Sequence, residues 1–123
     1  MDIDMITISL ESSSDGYIRR FTASGHSGYA EQDSDIICAA ISALAQTTIG
    51  SLQELAAIDP ARRLEDGLID FALPDPESLD SRQLQTADIL MASLVIGCRQ
   101  IQNSYPGHYV RFSKSTSKGG AKA

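Results

Sequence analysis

Two β-hairpin signals, each followed by a long helical stretch, constrain the fold of this chain more than any other feature of its sequence. Asp15-Gly16 and Asp66-Gly67 each separate two short apolar runs, as the turn of a hairpin does. Apolar helical segments follow them, over about 36–55 and about 84–104, and a last strand is predicted at 108–113. The predicted order of elements is therefore β-β-α-β-β-α-β.

This order predicts one α+β domain, a two-layer sandwich with two helices on a mostly antiparallel sheet. The second helix carries an apolar stripe for the core, made of Leu84, Ala87, Met91, Leu94, Cys98 and Ile101. The domain is expected to span residues 1–113. Residues 114–123 contain almost no apolar side chain and are predicted to be a disordered basic tail.

The charge is uneven along the chain. Residues 1–110 hold sixteen acidic side chains and six arginines, a net charge of −10, whereas residues 111–123 hold four basic side chains and no acid. An acidic body argues against direct nucleic-acid binding. It is compatible with a basic partner, although solubility is the simpler interpretation of the charge.

The composition also bears on the compartment. The first residues are acidic where a signal peptide requires basic ones, and no apolar run is expected to approach the length of a membrane span. Two cysteines are too few for a disulfide scaffold, and no Cys-x-x-Cys or His-x-x-x-His pair favours zinc. We therefore expect a cytoplasmic protein with no membrane contact.

Cys38 and His26 are the candidate catalytic pair. If Asp35 or Ser34 caps the first helix, Cys38 lies in its first turn, where the helix dipole favours a thiolate and backbone N–H groups can stabilise an oxyanion. The connection 27–35 is long enough to bring the imidazole of His26 back to that turn. Such a pair can ionise and supply a nucleophile.

Other interpretations of these residues remain open. Asp35 can orient His26, or it can simply cap the helix, which is favoured, and its charge would raise the thiol pKa. Cys38 can also be a small buried apolar residue of an alanine-rich helix, and Cys98 on the apolar stripe is expected to be one. Ser42, one turn after Cys38, either supports the site or bonds back to a backbone carbonyl.

The stretch that carries these residues resembles a known family. Gly25-His26, the twelve-residue step to Cys38 and the run Asp35-Ile36-Ile37-Cys38-Ala39-Ala40-Ile41-Ser42 are similar to the signature of the ribosomal-processing cysteine proteases (Prp, YsxB-like). The resemblance implies the same element order over about residues 5–113. It also implies a homodimer that needs no metal or cofactor. Its substrate would be a precursor of the twenty-seventh large-subunit ribosomal protein, from which it removes an N-terminal extension.

The resemblance assigns Cys38 as nucleophile, His26 as general base and Asp35 as the acidic residue of the motif. The substrate-binding residues that it implies are Gly25, Ser27, Gly28, Tyr29 and Ser42. The sequence departs from the family pattern at Ser27, where alanine is usual, and at Asp33, where glycine is common. Two alternatives stand beside the protease: a non-catalytic ribosome-assembly or peptide-binding module of this fold, and a dimeric protein in which Cys38 is inert.

Overall fold

The computed structural model describes residues 5–25, 35–107 and 109–116, and these form the predicted order of elements. The helices and strands lie within a few residues of their predicted bounds. The elements are β1 (Ile6–Ser12), β2 (Ile18–Ser24), α1 (Ile36–Ala56), β3 (Ala61–Glu65), β4 (Leu68–Ala72), a 3-10 turn (Pro76–Ser78), α2 (Ser81–Ser104) and β5 (Val110–Thr116).

The five strands form one mixed sheet in the order β3-β4-β2-β1-β5. The β1–β2, β2–β4 and β3–β4 pairs are antiparallel, and β1–β5 is parallel. This arrangement confirms the predicted α+β class and the mostly antiparallel sheet.

The last strand is longer than predicted. Its pairing with β1 runs from Ile6 opposite Val110 to Ser12 opposite Thr116. Residues 114–116, which were predicted to belong to the tail, are thus strand residues, because β1 offers hydrogen-bonding partners along its whole length. Residues 117–123 of the predicted tail lie outside the described residues, as does His108 at the predicted start of the strand.

The core lies between one face of the sheet and the two helices. Ile6, Ile8 and Leu10 alternate with less buried residues along β1, as a half-buried strand requires. The rings of Phe21 on β2 and Phe71 on β4 pack with centroids 5.6 Å apart and join the two hairpins. Four residues of the predicted stripe on α2 are buried: Ala87, Met91, Leu94 and Cys98.

Helix α1 corrects one expectation. By length and composition alone, this helix is long enough and apolar enough to cross a membrane, and it is the one such helix among the described residues. The apolar run in α1 is longer than expected because alanines and other small residues occupy positions of the helix between the buried ones. Seven of its residues are buried, and six of these, including Ile37, Ile41 and Leu52, belong to the core.

Candidate active site

Cys38 lies in the first turn of α1, and Asp35 is the N-cap residue of that helix. The Asp35 Oδ1 atom accepts a hydrogen bond from the Cys38 backbone N–H at 3.0 Å. A side-chain oxygen that accepts from the third N–H of a helix is the usual form of an N-cap. The predicted helix start and the predicted capping by Asp35 are both confirmed.

This cap bears on the expected oxyanion site. The Cys38 N–H is engaged by Asp35, and the Ala39 N–H donates to the Asp35 carbonyl at 3.1 Å. Both amides therefore already have acceptors in this state. An oxyanion at the Cys38 N–H would have to displace the Asp35 carboxylate.

The described surroundings of the Cys38 thiol oppose its ionisation. Burial, then the negative charge of Asp35 and then that of Asp66, raise the pKa of this half-buried thiol. The helix terminus was expected to lower the pKa. Partial burial and the two carboxylates act in the opposite direction and raise the pKa of this thiol.

An open cleft of about 360 Å³ lies beside Cys38. Helix α1 contributes Cys38 and Ser42 to its lining, the end of β2 contributes Gly25, and the β3–β4 hairpin contributes Asp66 and Gly67. Its floor is apolar and includes Ile6, Ile41 and Ile69. The cleft thus combines a thiol, polar rims and an apolar base, which suits a peptide chain.

A backbone hydrogen bond joins two walls of the cleft. The Gly25 N–H donates to the Gly67 carbonyl at 2.9 Å, so the turn of the β3–β4 hairpin holds the end of β2. Gly25 has a φ of +98°, and a Cβ there would lie 2.4 Å from the Met5 carbonyl oxygen. Because neither the dihedral angle nor the space suits a side chain, glycine is required immediately before His26.

The structure brings four of the predicted site residues together: Gly25, Asp35, Cys38 and Ser42 all line the cleft. The Ser42 hydroxyl accepts a hydrogen bond from Gln46 Nε2 at 3.0 Å. The other four predicted residues lie outside the described residues: His26, Ser27, Gly28 and Tyr29.

The β3–β4 hairpin is a part of the site that the sequence does not predict. Glu65, Asp66 and Gly67 line the cleft, yet in the sequence they signal only a turn. Ser24, at the end of β2, pairs with Leu68 at the start of β4, and this register places the turn beside the end of β2. Only knowledge that β2 pairs with β4 could have revealed the proximity.

Cys98 differs from Cys38 in its position and in its exposure. Its side chain is fully buried on α2, and burial raises its pKa to about 12. Such a thiol stays protonated and packs as an apolar group. The prediction that Cys98 belongs to the core is confirmed.

Comparison with known proteins agrees with this geometry. A family model described as cysteine protease Prp matches residues 5–110. The ribosomal processing cysteine protease Prp of Bacillus subtilis (strain 168) is 30% identical over 102 residues, which cover 82% of this chain and 90% of that protein.

Solved structures share the fold. The essential ribosomal processing protease Prp from S. aureus, in complex with a covalently linked product peptide, superposes with a TM-score of 0.76 at 20% identity, covering 89% of this chain and 99% of that chain. SMU.848 from Streptococcus mutans gives a TM-score of 0.76 at 21% identity, covering 93% and 97% of the two chains.

Proposed function

This chain belongs to the cysteine protease Prp family, and from that premise we propose that it removes an N-terminal extension from a large-subunit ribosomal protein, the twenty-seventh, during ribosome maturation. The observation that carries the proposal is the position of Cys38, on the wall of an open cleft and in the first turn of a helix. A protease that cuts a peptide extension needs its nucleophile in such a cleft.

Cys38 acts as the nucleophile and His26 as the general base. Cys38 Sγ attacks the carbonyl carbon of the scissile bond, while His26 takes the thiol proton and passes it to the leaving amine of the mature ribosomal protein. The extension remains on Cys38 as a thioester. Water, deprotonated by His26, then hydrolyses the thioester and releases the extension with a free carboxylate.

A base is needed because the described groups favour the protonated thiol. Burial and the charges of Asp35 and Asp66 raise the pKa of Cys38. A neighbouring imidazole that becomes cationic would favour the thiolate. Gly25, which the hairpin holds in the cleft, directly precedes His26 in the chain. This connection supports His26 as that base.

The substrate assignment rests on the relatives and on charge. The B. subtilis relative is a ribosomal processing cysteine protease, and this chain is similar enough for the same kind of substrate to be proposed. Proteins that bind ribosomal RNA are basic. The net charge of −10 over residues 1–110, from sixteen acids and six arginines, is complementary to such a partner.

The assembly and the compartment are further parts of the proposal. The protein works as a homodimer in the cytoplasm, where ribosomes mature and where its two thiols stay reduced. Sedimentation at micromolar concentration is expected to give about twice the chain mass of 13.2 kDa. A species of 13.2 kDa alone would contradict the dimer.

The proposed function is tested by incubating the chain with the precursor of that ribosomal protein and measuring the N-terminal mass of the product. We expect Cys38→Ser and His26→Ala to abolish processing. Cys98→Ala, the matched control, should retain it because Cys98 lies away from the cleft. Processing by Cys38→Ser at the wild-type rate would disprove the mechanism, and binding of the precursor without cleavage would favour the non-catalytic module.

A further inference from the structure

The ionisable lining of the cleft is one-sided. Among residues 5–25, 35–107 and 109–116, it consists of the Cys38 thiol and three carboxylates, those of Asp35, Glu65 and Asp66. No arginine, lysine or histidine among the described residues lines it. A peptide in this cleft therefore meets a wall of negative charge close to the thiol.

The three carboxylates are not equivalent. Asp35 accepts the Cys38 N–H, and Glu65 forms an ion pair with Arg63 at 2.8 Å. Asp66, in contrast, has no cation within ion-pair distance among residues 5–25, 35–107 and 109–116. Its side chain is exposed at the rim. Asp66 is thus the carboxylate of the cleft whose charge is not engaged by the described part of the fold.

The fold fixes the position of Asp66. It lies in the two-residue turn between β3 and β4, and the next residue, Gly67, accepts the hydrogen bond from Gly25. The turn is consequently attached to the strand end that precedes His26. The Asp66 charge also acts on the Cys38 thiol, so it lies within electrostatic range of the reacting sulfur.

We propose that Asp66 is a specificity residue that binds a lysine or arginine side chain of the substrate peptide in the cleft beside Cys38. This inference rests on the proposed function, because it assumes that a peptide occupies the cleft. The ammonium or guanidinium group of the substrate supplies the partner that Asp66 lacks within the described fold. The Glu65 charge, already paired, contributes less.

The contact has a consequence for reactivity. Asp66 disfavours the Cys38 thiolate while its charge is uncompensated. A bound cation compensates that charge and so favours the thiolate at the moment when the peptide is in place. Recognition of the basic side chain should therefore affect the acylation rate as well as the affinity.

A double-mutant cycle on peptide binding tests the proposal. The parent probe is a labelled peptide with ten residues on each side of the junction between the extension and the mature ribosomal protein. In a set of variant peptides, each lysine or arginine is replaced by glutamine in turn. Binding to the Cys38→Ala protein is measured by fluorescence anisotropy. One replacement is expected to weaken binding by about two- to fivefold. Asp66→Asn should weaken binding of the parent peptide equally, and the two changes together should weaken it no more than either alone.

Three variants serve as controls. Asp66→Ser, a second neutral residue that suits a turn, should reproduce Asp66→Asn. Glu65→Gln should have a smaller effect because Glu65 is paired with Arg63. Asp88→Asn, which removes an exposed carboxylate from α2 away from the cleft, should have none. An equal loss in Asp88→Asn would overturn the proposal, because the effect would then be one of net charge.

The outcomes separate this proposal from the proposed function. If the precursor is cleaved but the Asp66 and peptide changes are additive, the specificity role is wrong and the function stands. If the changes are coupled but no cleavage occurs, the proposed function is wrong and the Asp66 contact stands. In the protein with Cys38 intact, Asp66→Asn should also shift alkylation of Cys38 to lower pH, a change that a merely structural role would not produce.

Discussion

At the scale of single residues, Asp35 has two effects on Cys38 that one substitution can separate. It stabilises the helix by accepting the Cys38 N–H, and its charge contributes to the raised pKa of the thiol. Asparagine caps a helix about as well as aspartate but carries no charge. Asp35→Asn therefore retains the first effect and removes the second.

We expect Asp35→Asn to leave the free energy of unfolding within about 0.5 kcal/mol of wild type, and Asp35→Ala to lower it by about 1 kcal/mol. The thiol pKa should fall in both variants, so Cys38 should react faster with iodoacetamide at pH 7. Rates are measured by mass spectrometry, with buried Cys98 as the internal unreactive control. Processing by Asp35→Asn should remain near wild type, and a loss of a hundredfold would instead assign Asp35 an orienting role towards His26.

Sequence alone could predict this part of the site because its spacing is local. A capping residue three positions before Cys38 fixes the cysteine in the first turn whatever the rest of the chain does. Asp66 could not be predicted in the same way. It lies 28 positions after Cys38 in the chain, and its place in the cleft depends on the pairing of β2 with β4.

At the scale of elements, the end of α1 is conformationally unfavourable. Ala57 has a φ of +54° and lies in the left-handed region, while the Ile58 N–H donates to the Leu52 carbonyl at 3.0 Å. Glycine is the usual residue at this position, because a Cβ is disfavoured there.

Ala57→Gly is therefore expected to raise the free energy of unfolding by about 0.5–1 kcal/mol, since relief of the left-handed conformation exceeds the entropy that glycine adds to the unfolded chain. Urea denaturation gives the measurement. Ala43→Gly, at an exposed position inside the same helix, is the matched control and should lower stability by about 1 kcal/mol. A loss of stability in Ala57→Gly would contradict the assignment of strain to this helix end.

The pairing of β2 with β4 has an electrostatic component. Arg20 donates to both oxygens of Asp70, at 2.9 and 2.7 Å, and the Thr22 hydroxyl donates to Asp70 Oδ1 at 2.8 Å. The Arg20 hydrogen bond is the largest of the effects that hold the pKa of Asp70 below its ordinary value, while burial opposes them. The folded state therefore favours the ionised carboxylate.

The sign of the pH dependence follows. Because the folded pKa of Asp70 is below the unfolded one, its contribution to stability is fully present above about pH 4 to 5 and is lost as the pH falls through the lowered pKa. Asp70→Asn should lower the free energy of unfolding by about 1 kcal/mol at pH 7 and should lose less further stability than wild type on acidification to pH 2. Urea titrations at several pH values test this, with Asp88→Asn as control, and parallel profiles for Asp70→Asn and wild type would refute it.

The elements were more predictable than their arrangement. Period-two alternation along β1 and the apolar stripe of α2 are local patterns that depend only on which face is buried. The sheet order depends on contacts between distant residues, such as the packing of Phe21 against Phe71, and no local pattern identifies those partners. The extension of β5 to Thr116 is of the same kind, because β1 determines where that strand ends.

At the scale of the whole molecule, the acidic surface and the cleft both favour a basic substrate, but through different interactions. The acidic side chains spread over the surface act at long range and raise the rate of encounter with a basic protein. Asp66 acts only after the peptide has entered the cleft. The two contributions can be separated because salt screens attraction over many ångströms more strongly than a single contact at short range.

We expect kcat/KM for the precursor to fall by roughly threefold or more between 20 and 300 mM NaCl, because the Debye length shrinks from about 20 Å to about 6 Å over that range. Asp66→Asn should lower kcat/KM at both salt concentrations yet keep most of this salt dependence, since it removes one of sixteen acidic side chains. A short peptide whose lysines and arginines are replaced by glutamine is the control and should show almost no salt dependence. Equal kcat/KM for the precursor at both salt concentrations would mean that the acidic surface serves solubility alone, and processing would then depend on contacts within the cleft.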